Sequence, residues 1–215
     1  MPKPGINAET VCAVVLAGGQ GSRMGGLDKG LQCFQGEPLA SLALKRLRLQ
    51  SGGTPALLAI NANRNLAQYQ TFGVPLWADT VPDFAGPLAG MLAALRHCPA
   101  HCGHVLTVPC DSPLFPLDLQ ERLAAALSAH QSDVAMAVAP DPDDGGTLRP
   151  QPVFCLMRSG LADHLQDFLD HGGRKIGAWI SSLHHVKVPF NASGDDPHAF
   201  ANVNTLDELH QLEKR

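Results

Sequence analysis

The chain has no basic surplus. Lys and Arg number 16 against 20 Asp and Glu, a formal net charge of −4 at pH 7. A nucleic-acid binder ordinarily shows the opposite balance, so a nucleic acid is not an expected partner. No apolar run approaches the ~18 residues that span a bilayer, and the opening MPKPGINAET lacks the apolar stretch of a signal peptide. A cytoplasmic protein with no membrane partner is the expectation. Cysteine is present but without a framework: Cys12, Cys33, Cys98, Cys102, Cys110 and Cys155 share no repeated short spacing. In a reducing compartment they read as free thiols. The densest cluster of metal-type residues runs from His97 to His104 and includes Cys98, His101 and Cys102. Its C-x3-C spacing has no second ligand pair downstream, so it reads as a helix-end loop rather than a structural zinc site.

What is present suits a compact α/β protein. At 215 residues with 45% hydrophobic and 17% charged residues, the chain is long enough to bury a core as a single domain, residues 1–215. Strand and helix signals alternate along it. Buried strands are expected at Val11–Ala17, Ala56–Ala62, Val105–Val108, Val134–Val138 and Pro152–Met157, with weaker ones at Pro75–Ala78 and His185–Phe190. Helices are expected at Pro38–Gln50, Pro87–His97, Pro116–Ser128, Ser159–Asp170 and Lys175–Ser182. The first three of these open on proline, which is tolerated in a first helical turn where the N–H has no partner. A last helix should start at Thr205, where Thr205-x-x-Glu208 has the form of a capping box. The pattern predicts a three-layer α/β/α sandwich with a mostly parallel sheet. The segments 79–85, 141–149 and 191–198 lack periodicity and read as loops.

The most informative stretch is Val14–Leu31, VVLAGGQGSRMGGLDKGL. A buried strand breaks into a loop containing Gly18, Gly19, Gly21, Gly25 and Gly26, with Arg23 and Lys29 among them. Glycine lets backbone N–H groups converge on an anion where a Cβ would block approach. Arg23 offers a planar fork for phosphate oxygens and Lys29 a mobile point charge. This is no Walker loop, since no Gly-Lys-Ser/Thr closes it. It is not the dinucleotide fingerprint G-x-G-x-x-G either, because Gly25 falls one residue late. A polyphosphate at the carboxyl end of a strand, where open α/β sheets place ligands, is the reading that uses all of these residues.

Further segments carry chemistry of their own. Asp111, in Pro109-Cys110-Asp111-Ser112-Pro113, follows a strand on a proline-braced turn. A carboxylate there can hold Mg2+, which takes one or two carboxylates and fills its shell with phosphates and water. Asn61 ends the second strand and Asp79 lies just beyond the third. An amide and a carboxylate match the donors and acceptor on the edge of guanine, and the sequence does not decide which of the two reads the base. Asn202 and Asn204 are two apart, so at strand spacing they face the same way. Gly86 and Gly90 flank the opening of a helix. Arg149, Arg174 and Lys175 are basic candidates for a second phosphate.

The pattern L-A-G-G-x-G-x-R-M-G-G-x-D-K-G-L resembles the signature loop of the nucleotidyltransferases, and within them the molybdenum cofactor guanylyltransferases. Asn61-Ala62-Asn63-Arg64, Gly86-Pro87-Leu88-Ala89-Gly90, Pro109-Cys110-Asp111-Ser112-Pro113 and Asn202-Val203-Asn204-Thr205 occur in the family's order, so the likeness covers nearly the whole chain. It implies a Rossmann-like nucleotidyltransferase fold that transfers GMP from GTP to Mo-molybdopterin and releases pyrophosphate. It further implies GTP contacts at Leu16, Ala17, Gly18, Gly19, Lys29, Asn61, Asp79 and Asp111. Arg23, Lys29 and Asp111 would be the catalytic set, with Asp111 the Mg2+ ligand. Gly86, Gly90, Lys175, Asn202 and Asn204 would fall on the pterin side. Residues of about 11–112 would form the GTP-binding part and about 113–215 the acceptor part, with molybdoenzyme-maturation proteins as partners. A cytidylyltransferase usually reads L-A-A-G at Leu16–Gly19, so Gly18 favours guanine. A sugar-phosphate nucleotidylyltransferase and a non-catalytic GTP-binding adaptor are the remaining alternatives. The chain departs from its relatives at Ser22, often basic, and at Arg149-Pro150-Gln151-Pro152, often His-Pro-Thr.

Overall fold

A computed structural model describes residues 5–19, 27–81, 86–141, 144–203, 205 and 208. The strands are β1 (Val11–Leu16), β2 (Cys33–Phe34), β3 (Glu37–Pro38), β4 (Leu57–Asn61), β5 (Leu76–Trp77), β6 (His104–Pro109), β7 (Val134–Pro140), β8 (Leu148–Arg158) and β9 (His185–Pro189). The helices are α1 (Leu39–Arg48), α2 (Leu66–Gln70), α3 (Pro87–His97), α4 (Leu119–His130), α5 (Ala162–Asp170) and α6 (Ile176–Ser181).

Seven strands form one sheet in the order β5-β4-β1-β6-β8-β7-β9. All neighbours are parallel except β8, which runs antiparallel to both β6 and β7. Every residue of β1 is buried, as a central strand covered on both faces requires. Its alternation divides the core in two. Val11, Ala13 and Val15 face a layer that holds Ala43 and Leu47 of α1 and Leu119 and Leu123 of α4. Cys12, Val14 and Leu16 face a layer that holds Leu88 and Leu92 of α3, Leu165 of α5 and Trp179 of α6. The sandwich therefore has the three layers and the mostly parallel sheet that the pattern predicts.

The differences from the sequence reading have local causes. Pro38 does not open α1 but stands at its N-cap, because it pairs with Cys33 in the β2–β3 hairpin. Pro116 likewise precedes α4: its carbonyl accepts the Leu119 N–H in a separate turn, and the helix continues to His130. It closes at Gln131, whose φ of 51° is left-handed. The 141–149 loop is shorter than expected, because Leu148 and Arg149 already pair with Pro140 and Ala139 in β8. The β2–β3 hairpin and α2 are too short to register as periodicity. Of the last helix, the Glu208 N–H donates to Thr205 Oγ1 at 3.1 Å. The residues between and beyond lie outside the described set, apart from those two.

Two features position the site. Register aligns the carboxyl ends of four parallel strands: Leu16 pairs with both Asn61 and Pro109, and Asn61 with Trp77. The residues that follow these strands all emerge at one edge. Second, β8 leaves β6 early. Their pairing stops at Thr107 and Cys155, where a register shift between Met136 and Ala137 inserts Pro152, Val153 and Phe154 as a bulge. A proline offers no N–H to a ladder, which suits it to such a break. Beyond it β8 keeps only β7 as its neighbour, up to Pro140 opposite Leu148.

Candidate active site

At the end of β1 the Ala17 N–H donates to the Asn61 carbonyl at 2.8 Å, and the Leu16 carbonyl accepts the Cys110 N–H at 3.2 Å. The start of the glycine loop is thereby tied to the strands on both sides. Asn61 is buried at 2% exposure. Its Nδ2 donates to the Trp77 carbonyl at 3.0 Å and to Asp79 Oδ1 at 2.8 Å. Asn63 Nδ2 donates to Asp79 Oδ2 at 2.7 Å and to the Gly18 carbonyl at 3.3 Å, while its Oδ1 accepts the Asp79 N–H at 2.8 Å. Asp79 is thus fixed by two amides, one on each carboxylate oxygen. Charge-assisted bonds of this kind are stronger than neutral ones.

The glycines at this point make room for an amide. A Cβ on Gly18 would lie 2.8 Å from Asn61 Oδ1 and from Asn63 Nδ2, and one on Gly90 would lie 2.4 Å from Asn61 Oδ1. Gly90 is buried in α3, so its placement serves Asn61 directly. Gly90→Ala should displace Asn61 and loosen its hold on Asp79 and, given the nucleotide contact that the resemblance implies for Asn61, weaken GTP binding by roughly 1–3 kcal/mol, about 5- to 150-fold. Titration of the variant with GTP, alongside its thermal unfolding, checks this. Unchanged affinity would show that Asn61 can shift without consequence.

Lys29 and Asp111 meet a short way along the same edge. Lys29 Nζ donates to Asp111 Oδ2 at 3.0 Å, with the side chains 20% and 19% exposed. The backbone around Asp111 is anchored, since its carbonyl accepts the Val203 N–H at 2.8 Å. Ser112 Oγ donates to Asn202 Oδ1 at 2.5 Å, which brings Asn202 beside this turn. Burial pushes the neighbouring Cys110 thiol well above its ordinary range. It remains a neutral packing group, not a nucleophile.

The remaining sequence candidates make none of these contacts in the described residues or lie outside them. Gly86 takes a φ of 62° at the N-cap of α3, a conformation glycine adopts freely. Gly19 is exposed, with no described residue within 4 Å of where a Cβ would stand. Lys175 is exposed at the N-cap of α6. Arg174 Nη1 donates to the Leu169 and Gly173 carbonyls at 3.0 and 2.7 Å, and so closes the end of α5. Arg149 pairs with Asp141 at 2.7 Å and Asp144 at 3.1 Å. Arg23 and Asn204 lie outside the described residues. The His97–His104 segment forms the turn between α3 and β6, where Cys98 Sγ donates to the Cys102 carbonyl at 3.4 Å.

Sequence reasoning missed two groups. One is Asn63, whose role shows only once Asp79 is brought 2.7 Å from it. The other is Asp28, which at 6% exposure accepts from Tyr69 Oη at 2.6 Å and Asn65 Nδ2 at 3.0 Å. Arg64 Nε stands 3.8 Å from the same carboxylate. Burial first, with the Asp28 carboxylate adding, holds the Tyr69 phenol above its ordinary range and keeps it a donor. The signal available was the single tyrosine of the chain, buried in a segment that looks like a loop.

The chain has many relatives. Residues 13–186 match the family model of the MobA-like NTP transferase domain. A molybdenum cofactor guanylyltransferase of Albidiferax ferrireducens is 54% identical over 211 residues, covering 97% of this chain and 98% of that protein. One from Cupriavidus metallidurans is 51% identical over 208 residues, covering 97% of each. Among solved structures, molybdopterin-guanine dinucleotide biosynthesis protein A from Archaeoglobus fulgidus superposes with a TM-score of 0.69 at 23% identity, covering 94% of this chain and 96% of that one. A CMP:2-keto-3-deoxy-manno-octonic acid synthetase complexed with CTP gives 0.71 at 13% identity, covering 95% and 97%. These two likenesses speak for the fold alone. The identity of half the residues over nearly the full length decides the matter: the chain belongs to the molybdenum cofactor guanylyltransferase family of MobA-like NTP transferases.

Proposed function

We propose that the protein transfers GMP from GTP to Mo-molybdopterin, forming the guanine dinucleotide cofactor and pyrophosphate. The observation that carries the choice of base is the fixed Asp79 carboxylate at the carboxyl edge of the sheet. Both amides that hold it donate, so what it offers a ligand is acceptor capacity. Guanine presents N1–H and N2 donors to such a group, whereas cytosine and adenine present an acceptor at the equivalent ring nitrogen. Leu16–Gly19 would carry the nucleotide backbone, and Arg23 with Lys29 the β- and γ-phosphates.

Asp111 suits a divalent ion. Its carboxylate already holds one cation, the Lys29 ammonium, at 3.0 Å. The described residues contain no cluster of three or more His, Cys, Asp or Glu able to bind a metal. A single-carboxylate site completed by phosphate and water is the arrangement Mg2+ accepts. When bound, Mg2+ would supply charge neutralisation at the phosphates. For Lys29 this means a change of partner, from Asp111 to the nucleotide. An oxygen of the acceptor phosphate forms the new bond to the α-phosphorus, and the bond from that phosphorus to the β-phosphate oxygen breaks. The attacking phosphate is ionised at pH 7, so positioning and electrostatics suffice. Residues of about 11–112 would carry GTP and about 113–215 the acceptor, with Asn202, Asn204 and Lys175 on the pterin side and Gly86 meeting it from the GTP-binding part. No helix of the described residues is long and apolar enough to cross a membrane.

The test is pyrophosphate release from GTP and from CTP with Mo-molybdopterin and Mg2+. GTP should be preferred strongly; equal or better turnover of CTP would return the chain to the cytidylyltransferase reading, and binding without turnover to the adaptor. The two substrate sides should also separate. Lys29→Ala removes a charge-assisted phosphate contact worth roughly 1.5–3 kcal/mol and should weaken GTP use. Lys175→Ala should raise the KM for the pterin and leave GTP affinity unchanged. Wild-type behaviour of Lys175→Ala would return that residue to the solvated surface.

A further inference from the structure

Lys29 sits at the start of a single 3-10 turn, Lys29–Leu31, and both of its chain neighbours rest on one phenol. On one side, Asp28 accepts the Tyr69 hydroxyl proton at 2.6 Å. On the other, Gly30 lies so close to Tyr69 that a Cβ would stand 2.4 Å from Oη and 3.3 Å from Cζ. The turn is closed by Leu31 N–H to the Asp28 carbonyl at 3.2 Å and Gln32 N–H to the Lys29 carbonyl at 3.0 Å. Gln32 Nε2 donates to the same Asp28 carbonyl at 3.0 Å. Tyr69 itself is fully buried. Its ring is fixed edge-on to Phe72, with centroids 5.9 Å apart.

We infer that Tyr69, acting through Asp28 and against Gly30, is a positioning residue that sets where the Lys29 ammonium stands relative to the nucleotide phosphates. This rests on the phosphate role proposed for Lys29. A long lysine side chain searches a wide volume unless its backbone is fixed, and side-chain freedom of this kind is costly to remove at the moment of reaction. A phenol gripping residues 28 and 30 removes the backbone part of that freedom in advance. The phenol can do this while buried because its one polar atom has a charged acceptor. It reaches the turn from α2, so the phosphate lysine is held by the segment that also carries Asn63 toward Asp79. Asn65 and Arg64, at the start of that segment, complete the enclosure of Asp28.

The experiment is a double-mutant cycle on Tyr69→Phe and Lys29→Ala, with GTP, Mo-molybdopterin and Mg2+, reading kcat, both KM values and thermal unfolding. The phenylalanine keeps the ring and removes only the hydroxyl. Tyr69→Phe alone should lower kcat/KM for GTP by about ten- to a hundred-fold, the scale of a small misplacement of a catalytic group, and leave the KM for the pterin unchanged. In the Lys29→Ala background the same change should have little further effect, because residues that act as a unit are not additive. Purely structural damage would instead multiply the two losses and raise both KM values, which would overturn the inference, as would wild-type kinetics of Tyr69→Phe beside an impaired Lys29→Ala. Should Lys29→Ala itself behave as wild type, the phosphate role fails and the inference falls with it. If Tyr69→Phe does not fold, Gly30→Ala perturbs the turn from its other flank and takes the same place in the cycle.

Discussion

Asp111→Ala is expected to slow guanylyl transfer by about 10²-fold or more while leaving the protein folded. The loss is several kcal/mol of charge stabilisation at the phosphates, converted at a factor of ten for each ~1.4 kcal/mol. Structural damage should be small. The residue stands on a turn between Pro109 and Pro113, and its contact with Val203 is made by the backbone carbonyl, which alanine keeps. The ion pair it loses is partly exposed, and pairs of that kind contribute about 0–1 kcal/mol. Lys29 loses this one counter-ion, and its ammonium can shift toward the nucleotide. Steady-state kinetics against Mg2+ concentration, with thermal unfolding alongside, separates the effects. Near-full activity with Mg2+ still essential would mean that another residue holds the metal.

Asp79→Asn should be the most damaging change on the base side. The replacement is isosteric, but it puts an NH2 where an acceptor stood, opposite the amide donors of Asn61 and Asn63. One of those donors loses its acceptor, and guanine loses one too. An unsatisfied group costs roughly 1–3 kcal/mol; the one inside the protein lowers stability, and the one on guanine should lower kcat/KM for GTP by about 5- to 150-fold. The discrimination between GTP and CTP should shrink with it, since the variant no longer rejects an acceptor at that position. Asn63→Ala should be milder, because Asp79 retains Asn61. A variant that keeps full GTP preference would place base recognition elsewhere.

Much of this site was legible in the chain before any coordinates. The run Val11–Leu16 has the unbroken apolar character of a strand covered on both faces, and the glycine loop that follows can lie only at its carboxyl end. Asn61 ends a strand and Asp79 and Asp111 each follow one, so a parallel sheet was bound to collect them at one edge. What could not be read was how they pair. Asn61 with Asp79, and Lys29 with Asp111, are separated by 18 and 82 residues, and only register brings them into contact. Asn63 had no reason to stand out from Asn61 in the same short segment. Gly90 resembled a loop-side ligand group by sequence, yet in α3 it is the hollow into which Asn61 fits. Prolines misled for a different reason: Pro38 and Pro116 fit a first helical turn equally well as the residue just outside it. Pairing with Cys33, in the case of Pro38, settled the choice.

The early parting of β8 from β6 turns an interior strand into an edge over its first stretch, before Cys155. Before Cys155, β8 has β7 on one flank and, among the described residues, no strand on the other, beside the place where Asp111 emerges. An exposed edge invites pairing with any passing strand, and proteins blunt such edges with proline and charge. Here Pro150 and Pro152 have no N–H to offer, and Arg149, paired with Asp141 and Asp144, stands at its far end. That stretch therefore has few N–H groups to offer a passing strand, and the Val153 carbonyl is already taken by Thr107 Oγ1 at 2.6 Å. The bulge that frees this strand from β6 thus also leaves it a poor template for adding another strand to the sheet.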